Sequence, residues 1–247
     1  MKMKTLSISG ILLIVILTGG CKVKTVPVLS PEEYTYNGSA AGIAITIEFT
    51  KGKSFNHPLM AIWVEDEQGK FIQTLYVAES IGKGIFQHGD NSKGRWMPGK
   101  IRRPAALPYW SHRRGIKASD GLFIPDSQNP VPDAYTGPTP AGDFVLNTII
   151  ENSNLQKFTV YFEINQTWDW NEYWTNSKYP DDEEYKTSCQ PALVYRADIN
   201  TADKQKEYQM KVIGHSHYSG KTGELFTDLS TITTALQITG DLKVRIR

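Results

Sequence analysis

The sequence predicts an all-β fold built as an antiparallel sandwich, with at most a short helix. Three observations carry that expectation. Apolar residues recur at every second position in several short runs, the signature of strands with one buried face. No segment holds a long 3.6-residue apolar period. The runs are separated by Gly, Asn and Asp turns, the spacing of a β-sandwich rather than of βαβ units. The number and shortness of the runs favour an immunoglobulin-like sandwich.

The elements follow in order. Ile43, Ile45, Ile47 and Phe49 alternate with Ala44, Thr46 and Glu48, a half-buried strand. Leu59–Asp66 and residues 71–77 flank Glu67-Gln68-Gly69-Lys70, which reads as a β-hairpin. A short helix is expected at 104–111, with Pro104 in its first turn and Pro108 interrupting it. Residues 119–142 are proline-rich and read as a long ordered loop, a common setting for function. Phe144–Ile150 and the run Phe158, Val160, Phe162, Ile164 are further strands. Residues 192–199 and 208–217 are read as two more, joined by a polar turn at 201–205. Leu242, Val244 and Ile246 close the series.

The N-terminus reads as an address. Lys2 and Lys4 precede an apolar run at 8–17, too short to span a membrane, and Thr18-Gly19-Gly20 leads to Cys21. This is the pattern of a secretory signal over 1–20. A Cys after small residues resembles a bacterial lipoprotein cleavage site, with Cys21 as the lipidated residue, although Thr18 stands where Leu is usual. The expected product is exported to the periplasm or outer membrane and lipid-anchored. Residues 21–40 would be anchor and tether, and 41–247 one domain. Cys189 is then the only other cysteine, so no internal disulfide forms, and a buried, inert thiol is expected.

The 247 residues are 40% hydrophobic and 11% aromatic, which excludes a disordered chain. With 27 Lys and Arg against 26 Asp and Glu, no global attraction to nucleic acid is expected. Charge is nonetheless segregated. Lys93, Arg95, Lys100, Arg102, Arg103, Arg113, Arg114 and Lys117 form one stretch without an acid, which also holds Trp96 and Trp110. Asp181-Asp182-Glu183-Glu184 is the opposite block. A solvated face or an ion-pair network accounts for both, and a docking patch for an anion is the sharper alternative.

Three constellations carry possible chemistry. Asp133-Ala134-Tyr135-Thr136-Gly137-Pro138-Thr139-Pro140 is by composition a turn. His215 and His217 stand two apart on an expected strand, so both imidazoles would share a face and reach one metal, with His57 or His112 as further ligands. The bland alternative is two hydrogen-bonded histidines at a strand end. Asn165, Thr167, Asp169 and Asn171 offer oxygen at alternate positions, a spacing that suits Ca²⁺, without the Gly and Glu of an EF-hand loop. Trp168 and Trp170 interleave with them, and Trp174 lies just beyond. Large aromatics dominate cores, so burial is expected; exposed, they would stack on a sugar or a flavin. No nucleophile elbow, phosphate-cradling Gly loop or zinc-protease helix motif occurs.

Taken together, His57-Pro58, Ile62-Trp63-Val64-Glu65-Asp66, Gly69-Lys70-Phe71, Thr74-Leu75, Trp110, Asp133-Ala134-x-Thr136-Gly137-x-Thr139, Glu163-Ile164-Asn165, Asp169-x-Asn171-Glu172, Gln190 to Tyr195 and Gly214-His215-Ser216-His217 resemble the DUF2271 family of predicted periplasmic proteins. The resemblance spans residues 41–246. It implies association with PepSY-type membrane proteins and with an FMN transferase, and hence extracytoplasmic flavin redox work. Residues 133–139 also resemble that transferase's acceptor motif, Asp-x-x-(Ser/Thr)-Gly-Ala-(Ser/Thr). By that resemblance Thr139 would carry a phosphoester-linked FMN, Thr136 and Gly137 would shape an exposed turn, and Asp133 would help the transferase. Pro138 replaces the motif's Ala.

The leading expectation is therefore a non-enzymatic accessory or carrier in flavin-linked electron transfer. The alternative is an extracytoplasmic carbohydrate- or metal-binding module using the tryptophans or the histidine pair. A metal-dependent hydrolase rests on His215 and His217 alone.

Overall fold

A computed structural model describes residues 30–247, apart from Asn37, Ser39, Gln205 and the side chain of Ala134. The strands are β1 (Glu32–Thr35), β2 (Ile43–Lys51), β3 (Leu59–Asp66), β4 (Phe71–Ala78), β5 (Ile85–Asp90), β6 (Met97–Lys100), β7 (Thr136–Gly137), β8 (Phe144–Ile150), β9 (Lys157–Asn165), β10 (Leu193–Asn200), β11 (Glu207–Gln209), β12 (Lys211–His215) and β13 (Thr239–Ile246). The helices are α1 (Glu79–Lys83), α2 (Pro108–Arg114) and α3 (Glu183–Ser188).

One sheet runs β1-β8-β2-β13-β11, the other β12-β10-β9-β3-β4-β7, and β5-β6 form a separate ribbon. The neighbours β13-β2-β8-β1 occupy the A-B-E-D positions of an immunoglobulin domain, and β10-β9-β3-β4 the G-F-C-C′ positions. Three departures stand out. The A position is filled by the C-terminal strand β13, the D position is filled by β1, which precedes β2 in the chain, and β1 runs parallel to β8.

Alternation decides which side chains meet between the sheets. Ile45, Ile47 and Phe49 of β2 face Met60, Ile62 and Val64 of β3 and Val160, Phe162 and Ile164 of β9 in one core. Leu59, Ala61 and Trp63 point the other way, into a second cluster with Tyr161, Val194, Leu107, Tyr109 and Trp110. Sheet β12–β7 is thus covered on both faces. That explains why β3 is a continuous apolar run and not an alternating one. The segment after β6, with α2, supplies the second cover.

Several expectations need correction. The domain starts before residue 41: β1 lies inside the segment read as tether, and Tyr34 and Tyr36 pack against the core. The helix expected at 104–111 begins at Pro108, whose missing N–H falls where a helix's first N–H groups lack partners anyway. Among the described residues α1 and α3 are two further short α-helices. The acidic block is the start of α3, where Asp182 accepts a hydrogen bond from Tyr185 N and Glu183 and Glu184 sit in the first turn, favoured by the helix dipole. Residues 208–217 are not one strand. β11 pairs with β13 and β12 with β10, so the chain changes sheets between them. The signal segment and Cys21 lie outside the described residues. Among the described residues no helix is long and apolar enough to cross a membrane.

Candidate functional site

The 131–139 segment is held by hydrogen bonds on both sides. Val131 N donates to Gly82 O at 2.8 Å. Asp133–Tyr135 make one 3₁₀ turn, and Thr136 and Gly137 then pair in parallel with Val77 and Ala78 of β4. The Tyr76 hydroxyl donates to Pro138 O at 2.7 Å. Thr136 and Gly137 are buried, so the expected exposed, glycine-flexed turn is in fact a strapped strand. Gly137 is there for space: a Cβ at this position would overlap the Tyr36 hydroxyl. Asp133 is exposed, and Lys83 Nζ bridges its Oδ1 at 2.9 Å and Glu79 Oε1 at 2.7 Å. These two acids raise the Lys83 pKa.

Past Pro138 the chain reaches a cleft of about 700 Å³, which Thr139 lines together with His57, Lys83, Phe86, His88, Arg103 and Thr167. The cleft is cationic on balance, with Glu79 its one acidic wall residue. Lys83 is committed to its two acids. Arg103 is not: among the described residues it forms no salt bridge, its Nε is buried without a hydrogen-bond partner, and burial lowers its pKa, an effect that the charge of Glu184 offsets in part. Its guanidinium lies 4.5 Å from the Phe86 ring centroid. This combination attracts an anion by charge and offers an aromatic face for stacking. His57 has a left-handed backbone (φ 51°), a sparsely populated conformation for a non-glycine residue. The Arg103–Phe86 shelf escaped sequence reasoning because the ring and the guanidinium are far apart in the chain. The basic stretch was the only signal.

The tryptophans divide. Trp168 is 65% exposed and Trp170 57%, against the expectation of burial, whereas Trp174 is buried at 6%. Trp174 packs against Tyr185, His215 and Tyr218, and its indole N–H donates to Thr231 Oγ1 at 3.1 Å, which removes it from any stacking surface. Trp168 holds φ at 57°.

Three of the four ladder residues make internal hydrogen bonds, although Asp169 Oδ2 is buried without a partner and Thr167 lines the cleft. Asn165 Oδ1 accepts from Ser188 Oγ at 2.9 Å, and Asp169 Oδ1 accepts from Thr234 Oγ1. Asn171 Oδ1 accepts from the backbone N–H groups of Tyr173 and Trp174, and its Nδ2 donates to Thr231 O. These groups staple loops and do not converge as a Ca²⁺ shell.

The histidine pair does not share a strand face. β12 ends at His215, so the period-2 argument stops one residue short of His217. His215 is buried against Phe226, with its Nδ1 2.8 Å from Ser216 O. His217 stacks on Tyr218, and its Nδ1 accepts from Ser219 N at 3.2 Å. Burial lowers the pKa of both. Among the described residues no three His, Cys, Asp or Glu side chains gather to hold a metal.

Two buried carboxylates were missed as such. Glu163 accepts from Tyr109 N at 3.1 Å and Trp110 N at 2.7 Å, capping α2 from β9, and burial pushes its pKa up to about 8. Glu65 accepts from Trp63 Nε1 at 2.9 Å and from Arg113, which also donates to Gly69 O at 2.6 Å. Both carboxylates join α2 to the outer face of the sheet and neither opens onto the cleft. Cys189 is a buried free thiol, and burial raises its pKa.

Fold and site together define a β-sandwich with a cation-lined cleft at one edge of its six-stranded sheet. Compared with known proteins, the chain matches no family model, and no curated protein and no solved structure is significantly similar to it.

Proposed function

We propose that this chain is an exported lipoprotein anchored through Cys21 and acting as a non-enzymatic carrier in extracytoplasmic flavin-linked electron transfer. FMN is its cargo, joined by a phosphoester to Thr139. An FMN transferase and a PepSY-type membrane protein are its partners. One observation supports this reading above the others. Thr139, the residue singled out by resemblance to the acceptor motif, lines the cleft that also holds Arg103, Lys83 and the Phe86 ring. A phosphoester there would sit beside cations, and the flavin would have an aromatic neighbour. The protein's contribution would be to bind and orient the flavin, while the redox chemistry is the flavin's own.

The test is intact mass after periplasmic co-expression with an FMN transferase. The expected result is an added FMN on the wild type and none on Thr139→Ala. An unmodified wild type would overturn the reading: either Pro138 has broken the motif or the segment was never an acceptor.

A second reading is an extracytoplasmic carbohydrate-binding module, favoured by the exposure of Trp168 and Trp170. Exposed indoles provide the flat apolar faces on which sugar rings stack. Titration with soluble oligosaccharides would then shift the tryptophan emission of the wild type and not that of a Trp168→Ala, Trp170→Ala double variant.

A further inference from the structure

Arg114, the last residue of α2, is a part-buried charge with no salt bridge among the described residues. Two other arginines of the basic stretch are paired: Arg113, its neighbour in sequence, with Glu65, and Arg102 with Asp120. Among the described residues Arg114 has no carboxylate partner. Its guanidinium packs on the Trp110 ring, 5.0 Å from the centroid, and one terminal nitrogen is shut from solvent without a hydrogen-bond partner. Burial lowers its pKa to about 10. Burying a cation without an anion is costly, and stacking on an indole with the dipole of a short helix offsets only part of that cost.

Arg114 also lines a separate cavity of about 470 Å³. Phe71, Ile72, Ile116 and Val131 make its apolar walls, and Glu151 is its one acid. Glu151 Oε1 accepts from the Tyr135 hydroxyl at 2.7 Å. Gln73 is engaged by the backbone, its Nε2 donating to Ile149 O and its Oε1 accepting from Glu151 N.

We propose that this cavity binds a small monocarboxylate with an aromatic or branched apolar body, its carboxylate paired with Arg114. The charge arrangement selects the class. One guanidinium offers a charge-assisted contact to a single carboxylate. A dianionic phosphate would meet a single cation and the repulsion of Glu151. The apolar walls account for the body of the ligand, and the volume lies in the range of small-molecule sites. The proposal is independent of the flavin reading: it uses none of the residues of the Thr139 cleft.

The test uses the purified full chain and three probes of similar body: 3-phenylpropionate, 3-phenylpropanol and phenyl phosphate. Binding is followed by saturation-transfer NMR and calorimetry. 3-Phenylpropionate should bind best. Arg114→Met, which keeps an apolar side chain on Trp110, should weaken it about tenfold or more, the loss expected for one charge-assisted contact. Glu151→Gln should strengthen it by removing a like charge. No binding to the wild type, equal binding of the alcohol, tighter binding of the phosphate, or undiminished binding to Arg114→Met would each overturn the proposal. Should Arg114→Met fail to fold, the probe comparison on the wild type and the Glu151→Gln titration decide the matter.

Discussion

The Tyr36 hydroxyl fills the space into which a side chain at Gly137 would project. The residue just outside β1 thereby dictates the residue inside β7, and the two strands belong to different sheets. Gly137→Ala should therefore cost about 1–3 kcal/mol as an overpacked contact. Urea denaturation measures it. Combining the change with Tyr36→Phe should recover part of the loss; no recovery would mean that Tyr76, also close to this position, is the obstacle.

Glu163 makes stability depend on pH in an unusual direction. Its folded pKa, about 8, lies above its ordinary value of 4.5, so the folded state holds its proton more tightly than the unfolded chain does. The resulting stability is complete below pH 4.5 and is lost as pH rises through 8. The slope reaches up to about 1.4 kcal/mol per pH unit between those limits. Urea midpoints should fall across that window in the wild type and stay flatter in Glu163→Gln, which mimics the protonated acid. Parallel profiles for the two proteins would refute the assignment.

Glu65 has a fully buried side chain, while Arg113 keeps a third of its own exposed. Removing the arginine strands a buried carboxylate. Arg113→Met is expected to cost about 3 kcal/mol, at the low end for a broken buried pair because solvent reaches one partner. Thermal melts of the two single variants and the Glu65→Gln, Arg113→Met double variant provide the check: the double variant should be less destabilised than the sum of the singles.

Trp96, Trp168 and Trp170 are exposed, and Trp63, Trp110 and Trp174 are buried. Acrylamide should quench the first set readily and the second poorly. Trp168→Ala and Trp170→Ala should each change stability by no more than about 0.5 kcal/mol, whereas Trp174→Ala should cost about 3–5 kcal/mol. A large loss on Trp168→Ala would contradict its exposed position.

The positions where sequence reading succeeded and failed share a physical logic. β2, β8 and β13 were legible because each has one buried face, so apolar residues return every second position. β3 was legible from its length and turn. The reason it is apolar throughout was not legible: residues more than forty positions later cover its second face. The His215–His217 argument failed because strand period holds only while the strand lasts, and β12 ends on the first histidine. The tryptophan run failed because hydrophobicity cannot tell which of three similar rings the Tyr185–Tyr218 cluster admits. Only Trp174 enters it.

By itself the sequence determined the class of fold, most strand positions, the export-type N-terminal pattern and the segregation of charge. Each of these is written in local spacing and composition, which act within a few residues. Only the tertiary structure decided which charges remain uncompensated. Arg102 and Arg113 form salt bridges, whereas Arg103 and Arg114 lie against aromatic rings, Arg103 with only the longer-range attraction of Glu184. That division depends on partners brought together by sheet order and by the cover over β3. Pairing is a matter of distance in space, and no local pattern records it.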